Sequence, residues 1–210
     1  QAGTIIPIDA FLSKNLEVGF LPLYIRYAKN DDKKAKALFA GLFFLSMILA
    51  AVIFLLLYLG SSLWVSILAP GMDPETKVLT ESMLRVTSIA VPLYVLGSLL
   101  ARLEMAYDKY AMASLRSTIQ SLGLIAGTLF AFYFKNAIFL GWGFTWAYGA
   151  YALIGLLRLR GFLAVRPCDI SWRLIKETLL CFWHTIKHII FLPFLIQTNT
   201  AIERIVASLI

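Results

Sequence analysis

"ALFAGLFFLSMILAAVIFLLLYLG", residues 37 to 60, contains no charged side chain. At a helical rise of about 1.5 Å per residue, a segment of this length crosses a hydrocarbon core about 30 Å thick. Such a run is a transmembrane helix, and the solvent of this protein is lipid. The composition agrees: 60% of the 210 residues are hydrophobic, 15% are charged and the mean hydropathy is +0.80, well outside the range of a domain with a polar surface.

Outward from that segment, the pattern repeats. Upstream, "KNDDKKAK" at 29 to 36 reads as an aqueous loop, because each charge costs a few kcal/mol at membrane depth. Residues 15 to 28 form a weakly apolar helix suited to packing against protein. Downstream, 61 to 77 reads as a loop, punctuated by Pro70, Gly71 and Pro74, with Trp64 at the interface. Further spans are expected at 82 to 105, with Pro92 inside it, at 111 to 134, at 138 to 157, and from Phe182 or Ile189 to the end. A short turn at Lys135 and Asn136 separates the second pair. The fold class is all-α, a polytopic membrane helix bundle of about six transmembrane helices. With no initiator Met, and with its last residues inside an apolar helix, the chain is expected to be a fragment.

Basic residues accumulate in cytoplasmic loops, so their distribution sets the orientation. Segments 26 to 36, 102 to 116 and 158 to 176 hold thirteen of the nineteen Lys and Arg, whereas the intervening loops hold only Lys77 and Lys135. The alternation fits successive crossings. It also excludes a nucleic-acid footprint for the net charge of +7, since that would gather basic residues on one accessible face. Overlapping the end of the third basic segment, "DISWRLIKETLLCFWHTIKH" at 169 to 188 is amphipathic. Ile170, Leu174, Leu179, Trp172 and Trp183 are assigned to lipid, and Arg173, Lys176 and Glu177 to water, with Asp169 or Ser171 as the cap. This is an interfacial helix along the cytoplasmic membrane surface.

The pattern does not suggest covalent chemistry. Cys168 and Cys181 suggest neither a disulfide framework nor a metal cluster. His184 and His188 have the i, i+4 spacing of zinc ligands, but lack a general-base Glu and a third ligand. Glycines 141, 143, 149 and 155 sit in an apolar helix, where small residues serve close packing and not a phosphate loop. No cofactor, metal or catalytic residue is expected, and no enzyme.

The final segment, "FLPFLIQTNTAIERIVASLI" at 191 to 210, is different. At about 100° per residue, Gln197, Thr200, Arg204 and Ser208 share one side, with Asn199 and Glu203 on the adjoining flank. Leu195, Ala201, Ile202, Ile205 and Leu209 lie opposite. Intramembrane charges are by default hypotheses about a pathway. Arg204 either pairs with Glu203 or snorkels, or it faces a water-filled cavity; the extent of the polar side over three turns favours the cavity. The planar guanidinium fork suits phosphate oxygens, so a lipid-linked pyrophosphate is one cargo that fits.

Several stretches resemble, in order and spacing, the first half of the MurJ/MviN lipid flippases of the multidrug/oligosaccharidyl-lipid/polysaccharide exporter superfamily. They are "GFLPLYIRYAKNDDKKAKALFAG", "ILAPGMDPETKVLTESMLRVTSIAVPLYVLGSLL", "AYDKYAMASLRSTIQSL" and "FLPFLIQTNTAIERIVASL", spanning roughly 16 to 210. The resemblance implies a fragment of a two-lobed transporter lacking its first helix. It divides the chain into an incomplete N-terminal lobe at 1 to 160, a cytoplasmic loop and interfacial helix at 161 to 188, and the truncated first helix of the second lobe at 189 to 210.

It further implies a bacterial inner-membrane flippase that moves lipid II, or a related undecaprenyl-pyrophosphate saccharide, by alternating access. A coupling ion or the membrane potential would drive it, without nucleic acid. The implied cavity candidates are Arg204, Glu203, Asn199, Gln197, Thr200, Glu17 and Arg116. Glu17 before Gly19 stands where the family has a Glu-Gly pair; Ala113 and Ser117 replace family prolines, with Arg116 between them. These departures leave an exopolysaccharide or O-antigen-type exporter, or a non-transporting membrane remnant, as the alternatives.

Overall fold

The computed structural model describes residues 16–163, 171–187 and 202, apart from the side chains of Leu16, Glu17, Phe162 and Leu163. Among the described residues every regular element is helical. A π-helical turn, Leu16–Phe20, leads into α1, Leu21–Asn30, with Pro22 in its first turn where a missing N–H costs nothing. The remaining helices are α2 (Asp32–Leu59), α3 (Ser61–Leu68), α4 (Pro74–Ser88), α5 (Ala90–Met105), α6 (Ala111–Phe134), α7 (Ile138–Leu163) and α8 (Trp172–Ile186).

Among the described residues, three spans are long and apolar enough to cross a membrane: Asp32–Leu59, Pro74–Met105 and Ala111–Phe134. Helix α7 matches them in length at 26 residues, its apolarity diluted by Gly, Trp and Tyr. The outer face of α2 exposes Phe44, Leu45, Ile48, Leu49, Val52, Leu55, Leu56 and Leu59, an uninterrupted apolar surface that only lipid or protein can solvate.

Two expected loops are largely helical. The charged stretch 29 to 36 contracts to one non-helical residue, Asp31, whose carboxylate accepts from the Lys33 and Lys34 amides and starts α2 immediately after α1 ends. The charges stay at helix ends, so the aqueous position survives while the loop does not. Likewise 61 to 77 contains α3 and the start of α4, and only 69 to 73 turns. There the Thr76 amide donates to Asp73 at 2.9 Å, capping α4 and holding the Asp73 carboxyl below its ordinary range.

The expected span at 82 to 105 begins earlier, at Pro74, and is interrupted at Ile89. Pro92 has no N–H for the Ser88 carbonyl and its ring crowds that carbonyl, which places the break one turn upstream. Thr145 of α7 donates its hydroxyl toward the Val86 carbonyl at 3.0 Å, with Gly141 O also in range at 3.1 Å. A neighbouring helix thus satisfies backbone at the break. Replacing Thr145 by Val should cost about 0.6 kcal/mol, the average for an interhelical bond in a membrane, read as a shift in detergent unfolding.

Helix α7 is the hub, packing on α6, α5 and α4, while α5 also packs on α2. The centre is aromatic and dry: Tyr94, Tyr151, Phe144, Leu99, Leu100 and Met112 are fully buried. Gly97 and Gly155 permit this closeness, since a Cβ on Gly97 would lie 2.4 Å from the Tyr151 ring and one on Gly155 would lie 2.9 Å from Leu100 and Met112.

Helix α8 exposes Trp172, Trp183 and its charged residues, as expected, but packs Leu179 against the core and buries a stripe that the sequence reading left unassigned. Ile175, Thr178, Phe182 and Ile186 form its buried stripe, packed on α2 and the Leu16–Phe20 turn. A Cβ on Gly41 would come within 2.8 Å of Ile175, and one on Gly19 would overlap Ile186. The apolar face is therefore spent on protein, and Trp172, Leu180 and Trp183 remain exposed. Ser171 occupies the cap position without a side-chain bond; Ile170 and Asp169 lie outside the described residues.

Candidate functional site

Successive crossings bring Asp31, the 106–110 turn and the end of α7 to one end of the bundle, the end where basic residues gather. There α5 ends with a single acidic residue, Glu104, only 2% exposed. A carboxylate so buried requires charged and hydrogen-bonded partners. Arg158 of α7 supplies the first, its Nε and Nη2 donating to Glu104 Oε1 at 3.0 and 2.8 Å. The Met112 amide supplies the other, donating to Oε2 at 2.7 Å.

Met112 is the second residue of α6, and its amide is one of the four that an α-helix leaves unpaired at its start. Tyr110, at the cap position, makes no side-chain bond, so Glu104 caps α6 from eight residues upstream. Asp108 takes a left-handed conformation, φ 56°, to turn the chain between α5 and α6, a conformation Asp tolerates better than most. The Tyr151 hydroxyl then donates to the Met112 carbonyl at 3.1 Å. One carboxylate and one tyrosine thus tie α5, α6 and α7 into a joint. Beside it, the Tyr24 and Tyr107 hydroxyls pair at 3.0 Å, with their rings edge to face, fastening α1 to the same turn.

A second polar tier lies further along α6. The Arg116 guanidinium sits 5.4 Å from the centroid of the Tyr94 ring, a cation–π distance, and Tyr94 meets Tyr148 edge to face. The Tyr148 hydroxyl contacts Gln120 Oε1 at 3.1 Å. Arg116 and Gln120 therefore face the α5–α7 core. Across α2 and α8, Lys34 and Glu177 approach at 3.6 Å, an exposed pair that contributes little.

Such an arrangement holds helices and binds charge; nothing in it resembles a nucleophile with a base and an orienting group. Compared with known protein families, residues 10–210 match the model described as Lipid II flippase MurJ. The chain belongs to the lipid II flippase MurJ family. No curated protein matches it. Membership in the MurJ family makes the chain a membrane transporter component and not an enzyme.

Of the residues singled out from the sequence, Gln197, Asn199, Thr200, Glu203 and Arg204 lie outside the described residues. Glu17 falls in the Leu16–Phe20 turn, its side chain also outside the description. Arg116 is placed over Tyr94, as above. Sequence reasoning passed over Glu104 and Arg158. The available signal was a lone carboxylate closing an apolar span, which demands a cation; which of several arginines answers it is a matter of tertiary packing.

Proposed function

We propose that this chain is part of a flippase that carries a lipid-linked cell-wall precursor across the bacterial inner membrane by alternating access. The cargo is lipid II or a related undecaprenyl-pyrophosphate saccharide. The observation that carries this reading is the MurJ family match over residues 10–210. The basic end of the bundle supports an orientation with Glu104, Arg158 and the 106–110 turn toward the cytoplasm.

On this reading, residues 1 to 160 belong to the first lobe, 161 to 188 form a cytoplasmic connection with an interfacial helix, and 189 to 210 open the second lobe. The polar side of the last segment lines the route, with Arg204 meeting the pyrophosphate and Gln197, Asn199, Thr200 and Glu203 lining the aqueous path. Glu17 and Arg116 belong to the first lobe's share of the cavity. An ion gradient or the membrane potential supplies the driving force.

The test is lipid II translocation by the full-length gene product in proteoliposomes, with an O-antigen-type undecaprenyl-pyrophosphate saccharide in parallel. Failure of a folded protein to move either lipid overturns the reading. Arg204→Ala should slow flipping about tenfold, the scale of one lost charge-assisted hydrogen bond, while leaving membrane insertion intact. Unchanged flipping would remove Arg204 from the route.

A further inference from the structure

A cavity of about 240 Å³ opens at the basic end of the bundle, lined by Glu104, Tyr107, Lys109, Arg158 and Leu159. Its two cations are Arg158 and Lys109, while the Tyr107 hydroxyl is paired with Tyr24. Glu104 is buried, and its two oxygens already accept three hydrogen bonds, from Arg158 Nε, Arg158 Nη2 and the Met112 amide. Those bonds use two of the five N–H donors of Arg158, and its side chain is 43% exposed. Lys109 is exposed and carries a further positive charge on the 106–110 turn, which the left-handed Asp108 holds in place. Leu159, 3% exposed, gives the space an apolar wall.

The guanidinium is thus fixed before any ligand arrives, which removes most of the ordering cost of binding. Among the lining residues Glu104 and Arg158 offset each other, so Lys109 makes the lining net cationic, with the exposed Asp108 beside it on the turn but outside the lining. A fixed planar fork beside a mobile ammonium, in a half-open space, matches a tetrahedral oxyanion, with Arg158 offering paired donors and Lys109 a point charge. The space exceeds the share of several water molecules, about 30 Å³ each, so a phosphate group fits with its ester substituent leaving through the opening.

We infer that this cavity binds a phosphate-bearing head group at the inner end of the first lobe. Phosphate chemistry comes there from two lipid sources, the phosphodiester of an anionic phospholipid and the pyrophosphate of a polyprenyl carrier, and from free phosphate. The inference does not rest on transport: a protein that bound phosphate here without flipping anything would still fulfil it.

The experiment measures binding to the full-length protein in phosphatidylcholine nanodiscs of three probes: phosphatidylglycerol, undecaprenyl pyrophosphate and inorganic phosphate. Lys109→Glu should weaken the bound probe by about tenfold or more, the scale of one charged hydrogen bond, while Lys109→Arg retains it. Lys109 is exposed and meets the joint through its backbone, its amide donating to the Glu104 carbonyl at 3.2 Å, a bond that a side-chain change leaves in place; an unchanged melting curve checks that the variant folds. Loss for phosphatidylglycerol alone assigns the site to the leaflet, loss for undecaprenyl pyrophosphate alone assigns it to a carrier, and loss for all three assigns it to phosphate as such. No Lys109-dependent binding of any probe overturns the inference.

Discussion

Arg158→Ala will destabilise the protein by about 3–5 kcal/mol, the range for removing one partner of a buried ion pair. The reason is what remains. Glu104 stays 2% exposed between α5, α6 and α7, keeps its bond from the Met112 amide, and loses the guanidinium bonded to its other oxygen. Lost guanidinium contacts with water matter less, because Arg158 is itself partly exposed. Glu104→Gln should therefore rescue: the glutamine oxygen still accepts from the Met112 amide, and no unpaired charge is stranded. In a double-mutant cycle the Arg158→Ala, Glu104→Gln protein should be more stable than Arg158→Ala alone, with a coupling of about 0.5–3 kcal/mol. Arg158→Lys, which keeps the charge and loses the two-point fork, should fall between. Unfolding in a denaturing detergent reads all four. If Arg158→Ala unfolds within about 0.5 kcal/mol of the parent, as an ordinary surface change does, the joint does not hold the lobe together.

The joint also shows where the sequence was legible. Residues 37 to 60 could be read outright because lipid crossing is a local property, fixed by length and absence of charge. Span 111 to 134 matches α6 end to end, since polar residues and the left-handed Lys135 mark its limits. The Asp31 cap defeated the loop reading at 29 to 36: a charged run shows where water is, but not how few residues the chain needs to turn there. The facing of α8 was legible in part: Trp172 and Trp183 are exposed, while Leu179 is half-buried against the core. Periodicity identifies an apolar stripe but not its partner, and Ile175, Phe182 and Ile186 found α2 and the Leu16–Phe20 turn before they could find lipid. Glu104 and Arg158 are 54 residues apart, and no local pattern joins them. The polar side of the last segment is the reverse case: the pattern is strong, but Gln197, Asn199, Thr200, Glu203 and Arg204 lie outside the described residues, so its facing stands as proposed.

Gly143→Ala should cost about 1–3 kcal/mol, the range for forcing extra volume into a packed core, and Gly143→Leu should part α6 from α7. A Cβ at Gly143 would lie 2.4 Å from the Gly123 carbonyl oxygen and 2.6 Å from the Gly127 Cα, and one at Gly127 would lie 2.8 Å from the Phe139 carbonyl oxygen. These obstacles are backbone, so no rotamer change relieves them. Gly123 and Gly127 are four residues apart on α6, the small-xxx-small spacing that lets membrane helices touch along their backbones. Lipid gives such helices no hydrophobic reason to associate, so contact area along this seam is what binds them. Only 6% of the apolar window of α6 is buried, and its other holds are polar: Glu104 and Tyr151 at its inner end, and the contacts of Arg116 with Tyr94 and Gln120 with Tyr148 further along. The control lies on the same helix: a Cβ at Gly149 meets only Leu93, at an ordinary 3.8 Å. There Gly→Ala removes unfolded-state freedom without a clash and should stabilise by about 0.4–1 kcal/mol. One substitution at two positions of α7, six residues apart, should thus give opposite signs in the same unfolding assay. Equal effects at Gly143 and Gly149 would mean that helix propensity, and not the seam, governs how α6 is held.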